Sequence, residues 1–161
     1  MKRIILSIAG ALVAGVFLRG CFIGPEGEIR KQLSTLEELV SFEAGEGDLS
    51  ALASVRRLGG LFSEEAEVTL SGFGERRRLQ GRTELQQAAM AARSQAGRLQ
   101  ASLHDLEIRL SEDERSAAVR ATGRAKVGGD ERAAVQELVF EFEKGPDGWL
   151  IISVENVQAL R

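Results

Sequence analysis

Apolar residues recur at three- and four-residue steps from Ile29 through Leu33 and Leu36 to Val40, placing them on one face of a helix that opens at Pro25 and runs to about Phe42. Gly45-Glu46-Gly47 breaks it, and Leu49, Leu52, Val55 and Leu58 predict a second amphipathic helix ending at Gly59-Gly60. A short strand is expected over Ala66 to Leu70, continuing through Gly72 and Gly74 to Leu79 as a hairpin or irregular turn. Thr83 with Gln86 three residues later forms a capping-box pair. It opens a third helix whose buried side is Leu85, Ala88, Ala89, Ala92 and Ala96, small residues that imply close packing on a sheet.

From Leu99 onward the period changes to two. Leu99, Ala101 and Leu103 point one way while Leu106, Ile108 and Leu110 take the other parity, which a bulge near His104 reconciles. Ala117, Val119, Ala121, Ala125 and Val127 alternate in a second long strand, and Leu138, Phe140 and Phe142 in a third. Gly145-Pro146-Asp147-Gly148 is a tight turn, after which Trp149 to Val157 pairs back on its predecessor. These strands predict an antiparallel sheet, and the whole an α+β domain over residues 25–161.

Residues 1–24 read differently. Lys2 and Arg3 precede an uncharged, largely apolar run from Ile4 to Leu18, the layout of a positive n-region and a hydrophobic h-region. As a helix that run reaches only about 22 Å, short of a hydrocarbon core about 30 Å thick, but Arg19 can snorkel while Gly20 to Gly24 extends the span. The segment is expected to be an uncleaved transmembrane or signal helix. Two alternatives stand beside that reading: lipidation at Cys21, because Leu18-Arg19-Gly20-Cys21 resembles a lipobox apart from Arg19, and simple secretion. Each reading keeps the positive N-terminus in the cytoplasm and exports the C-terminal domain, membrane-anchored through residues 4–24 in the first.

Charge and composition narrow the function classes. Three of the 21 bases and none of the 24 acids lie in residues 1–24, so the remainder is more acidic than the chain's net −3 and is a poor partner for nucleic acid. Arg76-Arg77-Arg78 is the one basic run, and it fits a solvated hairpin or loop better than an anion site. With one Cys and one His, neither an intrachain disulfide nor a closed zinc site can form, and no cofactor or metal is expected.

The order helix, helix, short strand, a helix opening with Gly81-Arg82-Thr83-Glu84-Leu85, then long strands closing with Gly148-Trp149-Leu150-Ile151, resembles the nuclear transport factor 2-like (NTF2-like, SnoaL-like) superfamily over about residues 26–158. The resemblance implies a cone in which a curved antiparallel sheet wraps the N-terminal helices and can leave a pocket. It implies no reaction, because one fold carries many functions. Enzymes of the superfamily place acids, bases and tyrosines in that pocket; ketosteroid isomerases use a carboxylate base with a Tyr and a protonated Asp. This chain has no Tyr, cannot supply the two histidines of a scytalone dehydratase-like site, and carries no match to the Asp-Arg-Asp arrangement of limonene epoxide hydrolases. No catalytic residue is therefore assigned.

Pocket candidates remain. His104 and Asp105 are neighbours that only a bulge can bring together, since successive residues on a regular strand face opposite sides. Arg120 and Thr122, with Arg124 on the same strand face and Glu107 and Arg109 beside them, are either a solvated outer surface or the polar lining of the cone. Phe140, Phe142 and Trp149 are expected in the core, whereas Phe73 between two glycines suits a plug over the sheet mouth. The leading expectation is a non-catalytic, membrane-tethered module that binds a small apolar ligand or a protein partner. The alternatives are a small hydrolase, isomerase or dehydratase acting on an apolar substrate, and an envelope protein that self-associates as a homodimer through its sheet face.

Overall fold

The computed structural model describes residues 23–72 and 75–157. Three helices, α1 (Pro25–Val40), α2 (Asp48–Gly60) and α3 (Gly81–Ala96), accompany six strands: β1 (Phe62–Gly72), β2 (Glu75–Gln80), β3 (Leu99–Leu110), β4 (Ser116–Val127), β5 (Ala134–Gly145) and β6 (Gly148–Val157). The strands form one curved sheet in the order β2-β1-β6-β5-β4-β3. All neighbours are antiparallel except β1 and β6, which pair in parallel, so the sheet is mixed rather than antiparallel throughout. Alternation along a strand reports which face is buried, not the direction of the partner, and for that reason the sequence pattern did not reveal this junction. Asn156 extends it: its Oδ1 accepts from the Ser71 amide at 2.8 Å and its Nδ2 donates to the Ser71 carbonyl, copying a backbone ladder rung.

Ile29, Leu33, Leu36 and Leu39 of α1 are buried against Val119, Phe140, Phe142 and Ile151 of the sheet. Full burial of a side chain of this size stabilises by about 1.5–3 kcal/mol. The helix stops at Val40, where Ser41 turns extended and Phe42 pairs with Leu99. In α2 the buried residues are Ala51, Val55, Leu58 and Gly59, while Leu49 is 85% exposed and Leu52 lies at the surface. The expected stripe fails for a geometric reason: with 3.6 residues per turn, three successive steps of three turn the helix through about 900°, leaving Leu49 on the side opposite Leu58.

The third helix opens earlier than Thr83. Its N-cap is Gln80, without a side-chain cap, and Glu84 Oε2 instead accepts from the Gln80 amide at 2.7 Å. Ala92 is exposed and Arg93 takes the inward place one residue later. The bulge expected near His104 is present: Asp105 and Leu106 together oppose the single residue Ala121, and Asp105 has φ +53°. That extra residue turns Leu106, Ile108 and Leu110 onto the face already used by Leu103, and all four pack on the core. Arg76, Arg77 and Arg78 lie exposed on β2, with Arg78 paired to Glu67 at 2.6 Å. Phe73, Cys21 and the apolar run from Ile4 lie outside the described residues. Among those that are described, no helix is long and apolar enough to cross a membrane.

Candidate functional site

Between the helices and the concave face of the sheet lies a cavity of about 460 Å³. Leu36 and Val40 of α1, Leu85, Ala88 and Ala89 of α3, and Leu103, Leu138 and Phe140 of the sheet supply apolar wall. The alanines of α3 are what keep the space open, because larger side chains there would close the gap between helix and strands. The core does not fill the cone.

Polar groups enter the cavity at few places. Glu37 reaches it from α1, and its Oε1 accepts a hydrogen bond from the Leu103 amide. Gln136 enters from β5, where its Oε1 accepts from Asn156 Nδ2 at 3.1 Å. Ser102 and Arg124 also border the space, but they share the strand face of His104 and Thr122, so their side chains lie on the convex side. Sequence reasoning missed both Glu37 and Gln136, although each carried a signal. Glu37 stands four residues after Leu33 on the apolar stripe of α1, and Gln136 stands at the parity of Leu138 and Phe140. A polar residue in an apolar register is the mark of a lined interior.

None of His104, Asp105, Arg120 and Thr122 lines this cavity. His104 is exposed opposite Thr122 on the convex face, its Nε2 sharing a hydrogen bond of 2.9 Å with Ser102 Oγ. Asp105 is exposed at the bulge, and Arg120 is paired across the strand with Glu137 at 3.4 Å. The bulge thus reorients the inward residues after it without joining the His104 and Asp105 side chains into a dyad. Phe140, Phe142 and Trp149 are buried as expected. Among the described residues, no three His, Cys, Asp or Glu side chains gather where they could hold a metal ion.

A second concavity of about 780 Å³ runs along the outside, past Trp149, Lys31 and the β5–β6 turn. Its charges are partly internal: Glu28 Oε2 accepts from Lys144 Nζ at 2.7 Å and from Trp149 Nε1 at 3.0 Å. The inner cavity is the better candidate site because its lining is predominantly apolar and comes from both helices and sheet, which suits a small ligand that must bury most of its surface.

An α+β cone whose sheet curls over helices around an open interior defines the NTF2-like class. The chain belongs to the SnoaL-like domain family, which matches residues 53–155. Solved structures with the same fold include an NTF2-like protein with a cystatin-like fold from Novosphingobium aromaticivorans, at 18% identity and TM-score 0.62 over 90% of this chain and 86% of that one. A protein from the same organism, provisionally described as an aromatic ring hydroxylase, aligns at 17% identity and TM-score 0.67 over 88% of this chain and 93% of its own. Another, provisionally described as a scytalone dehydratase, aligns at 15% identity and TM-score 0.64 over 83% of each chain. At such identities the likeness is one of fold. No curated protein matches the sequence.

Proposed function

We propose that this protein is a non-catalytic binding module that takes a small apolar ligand into the cone. The observation that carries the reading is the cavity of about 460 Å³, walled by Leu, Ala and Phe side chains. Shape and apolarity supply affinity there, and the few polar groups supply orientation. A pocket enzyme acting on an apolar substrate would use the same space. Against it, Glu37 is the one carboxylate in the lining, and the lining offers neither His nor a second acid to share proton transfer with it.

A titration with the neutral fluorophore N-phenyl-1-naphthylamine tests the reading. We expect saturable binding to one site that Ala88→Phe abolishes while Trp149 emission keeps its native maximum. Undiminished binding in the filled variant would place the ligand elsewhere and refute the proposal.

The module is proposed to be tethered on the outer side of the membrane through residues 4–24. The support is the sequence pattern alone: Lys2 and Arg3 ahead of the apolar run from Ile4 to Leu18. Release of the full chain from membranes by alkaline carbonate would refute the tether. A second reading, self-association through the sheet, draws on the convex face. Exposed Arg109, Arg120 and Arg124 lie on β3 and β4, and exposed Glu137, Glu141 and Glu155 on β5 and β6, so a two-fold pairing could match opposite charges. Sedimentation should then show a dimer that weakens with salt; a monomer at all concentrations would eliminate it.

A further inference from the structure

Resting on the ligand reading of the cavity, we infer that Glu37 makes the site selective for apolar molecules that carry one hydrogen-bond donor, a hydroxyl or an amine. Glu37 Oε1 is occupied by the Leu103 amide, and no hydrogen bond reaches its Oε2 among the described residues. Yet Arg82 Nε is the one buried side-chain polar atom there without a partner, so the free oxygen of Glu37 is not sealed in protein, and the residue that carries it lines the cavity. An ionised carboxylate has about four acceptor positions, and a single amide uses one of them.

A ligand filling the apolar space removes water from that oxygen. If it brings only carbon and hydrogen, a charged acceptor is left desolvated without a partner. If it brings an O–H or N–H, a charge-assisted hydrogen bond replaces the lost water. Sites with a polar group placed in this way reject the analogue lacking the matching group more strongly than they reject a change of one methylene. The other polar side chain that enters the space, Gln136, already accepts from Asn156 Nδ2 through its Oε1, and as a neutral amide it is a weaker acceptor than the carboxylate. Ser102 and Arg124, which also border the space, carry their side chains on the convex face with His104 and Thr122.

Two probes of nearly the same shape test this in calorimetric titrations of the full chain. 2-Naphthol can donate; 2-methoxynaphthalene cannot. The wild-type protein is expected to bind 2-naphthol at least about tenfold more tightly, the scale of one hydrogen bond to a charged group. Glu37→Gln retains an oxygen for the Leu103 amide and turns an NH₂ toward the cavity, which the ether can accept, so the ratio should fall to about one. Equal wild-type affinities, or a preference unchanged by Glu37→Gln, overturn the selectivity and leave the cavity as a general apolar site. Failure of both probes to bind overturns the ligand reading itself.

Discussion

Glu37 on α1 accepts a hydrogen bond from the amide of Leu103 on β3, which is an edge strand of the sheet. The same helix end also covers the start of that edge. Phe42 exchanges backbone hydrogen bonds of 2.8 and 2.9 Å with Leu99, and Ser41 Oγ accepts from the Ala101 amide at 3.0 Å. Three alternate residues of β3 thus find partners one after another, on a backbone, a hydroxyl and a carboxylate. An edge left open would present unpaired amides to other chains.

The first prediction follows from that pairing. Glu37→Ala leaves the half-buried Leu103 amide with no protein acceptor and should cost about 1–3 kcal/mol of unfolding free energy, whereas Glu37→Gln should cost less than about 1 kcal/mol. Urea denaturation of the two variants separates the cases. Equal losses would show that charge rather than the hydrogen bond holds the helix to the strand.

Asp105 carries the second. Its φ of +53° is the left-handed conformation, which costs an L-residue about 1–2 kcal/mol and a short polar residue such as Asp rather less. Asp105→Gly should leave stability unchanged or raise it by up to about 1 kcal/mol, and Asp105→Val should lower it by about 1–2 kcal/mol. A neutral valine substitution would mean that the bulge moves at no cost.

Arg93 is the third. Its side chain is 7% exposed, its Nε lies 3.2 Å from Glu46 Oε2, its Nη2 donates to the Leu39 carbonyl at 2.7 Å, and its guanidinium sits 5.0 Å from the centre of the Phe42 ring. It fastens the α1–α2 connection to α3. Removing one partner of a buried ion pair costs about 3–5 kcal/mol, and Glu46, 21% exposed, places this pair near the lower end. Arg93→Met should therefore lose about 3 kcal/mol, and Arg93→Lys should recover only part, because an ammonium cannot span carboxylate, carbonyl and ring together. Full recovery by lysine would reduce the contact to a point charge.

Arg93 also shows where the sequence stops being readable. Helix and strand identities follow from apolar spacing, and Ile29, Leu33 and Leu36 or Leu138, Phe140 and Phe142 announce both their element and the face it buries. Even the bulge was visible, since Leu103 and Leu106 could share a face only if one extra residue stood between them. Glu37 and Gln136 stood in apolar registers and so carried a signal that their polarity masked, whereas Arg93 was invisible to the same logic because its place is set by partners distant in the chain. The parallel pairing of β1 with β6 was hidden likewise, and the part played by Asn156 with it, because pairing direction depends on a connection rather than on any local pattern. The cavity itself could be expected only as an attribute of the fold. Its openness comes from Ala88 and Ala89 standing opposite the sheet, a volume deficit that no single residue declares.

Glu28 supplies the last prediction, on pH. The hydrogen bond from Lys144 is the main influence that lowers its pKa below the ordinary 4.5, aided by the lysine's charge and by Trp149 Nε1, with desolvation opposing them. A carboxyl whose folded pKa is depressed stabilises the fold fully above its unfolded value, and that contribution disappears as pH falls through the folded value. The window therefore lies below pH 4.5. Because Trp149 is the only tryptophan in the chain and touches the titrating oxygen directly, its emission reports the event without interference from another indole. We expect a fluorescence transition with a midpoint below 4.5, moved upward by Lys144→Met because the main source of the depression is gone. A midpoint indifferent to that substitution would show that Trp149, not the lysine, holds the carboxylate in its charged form.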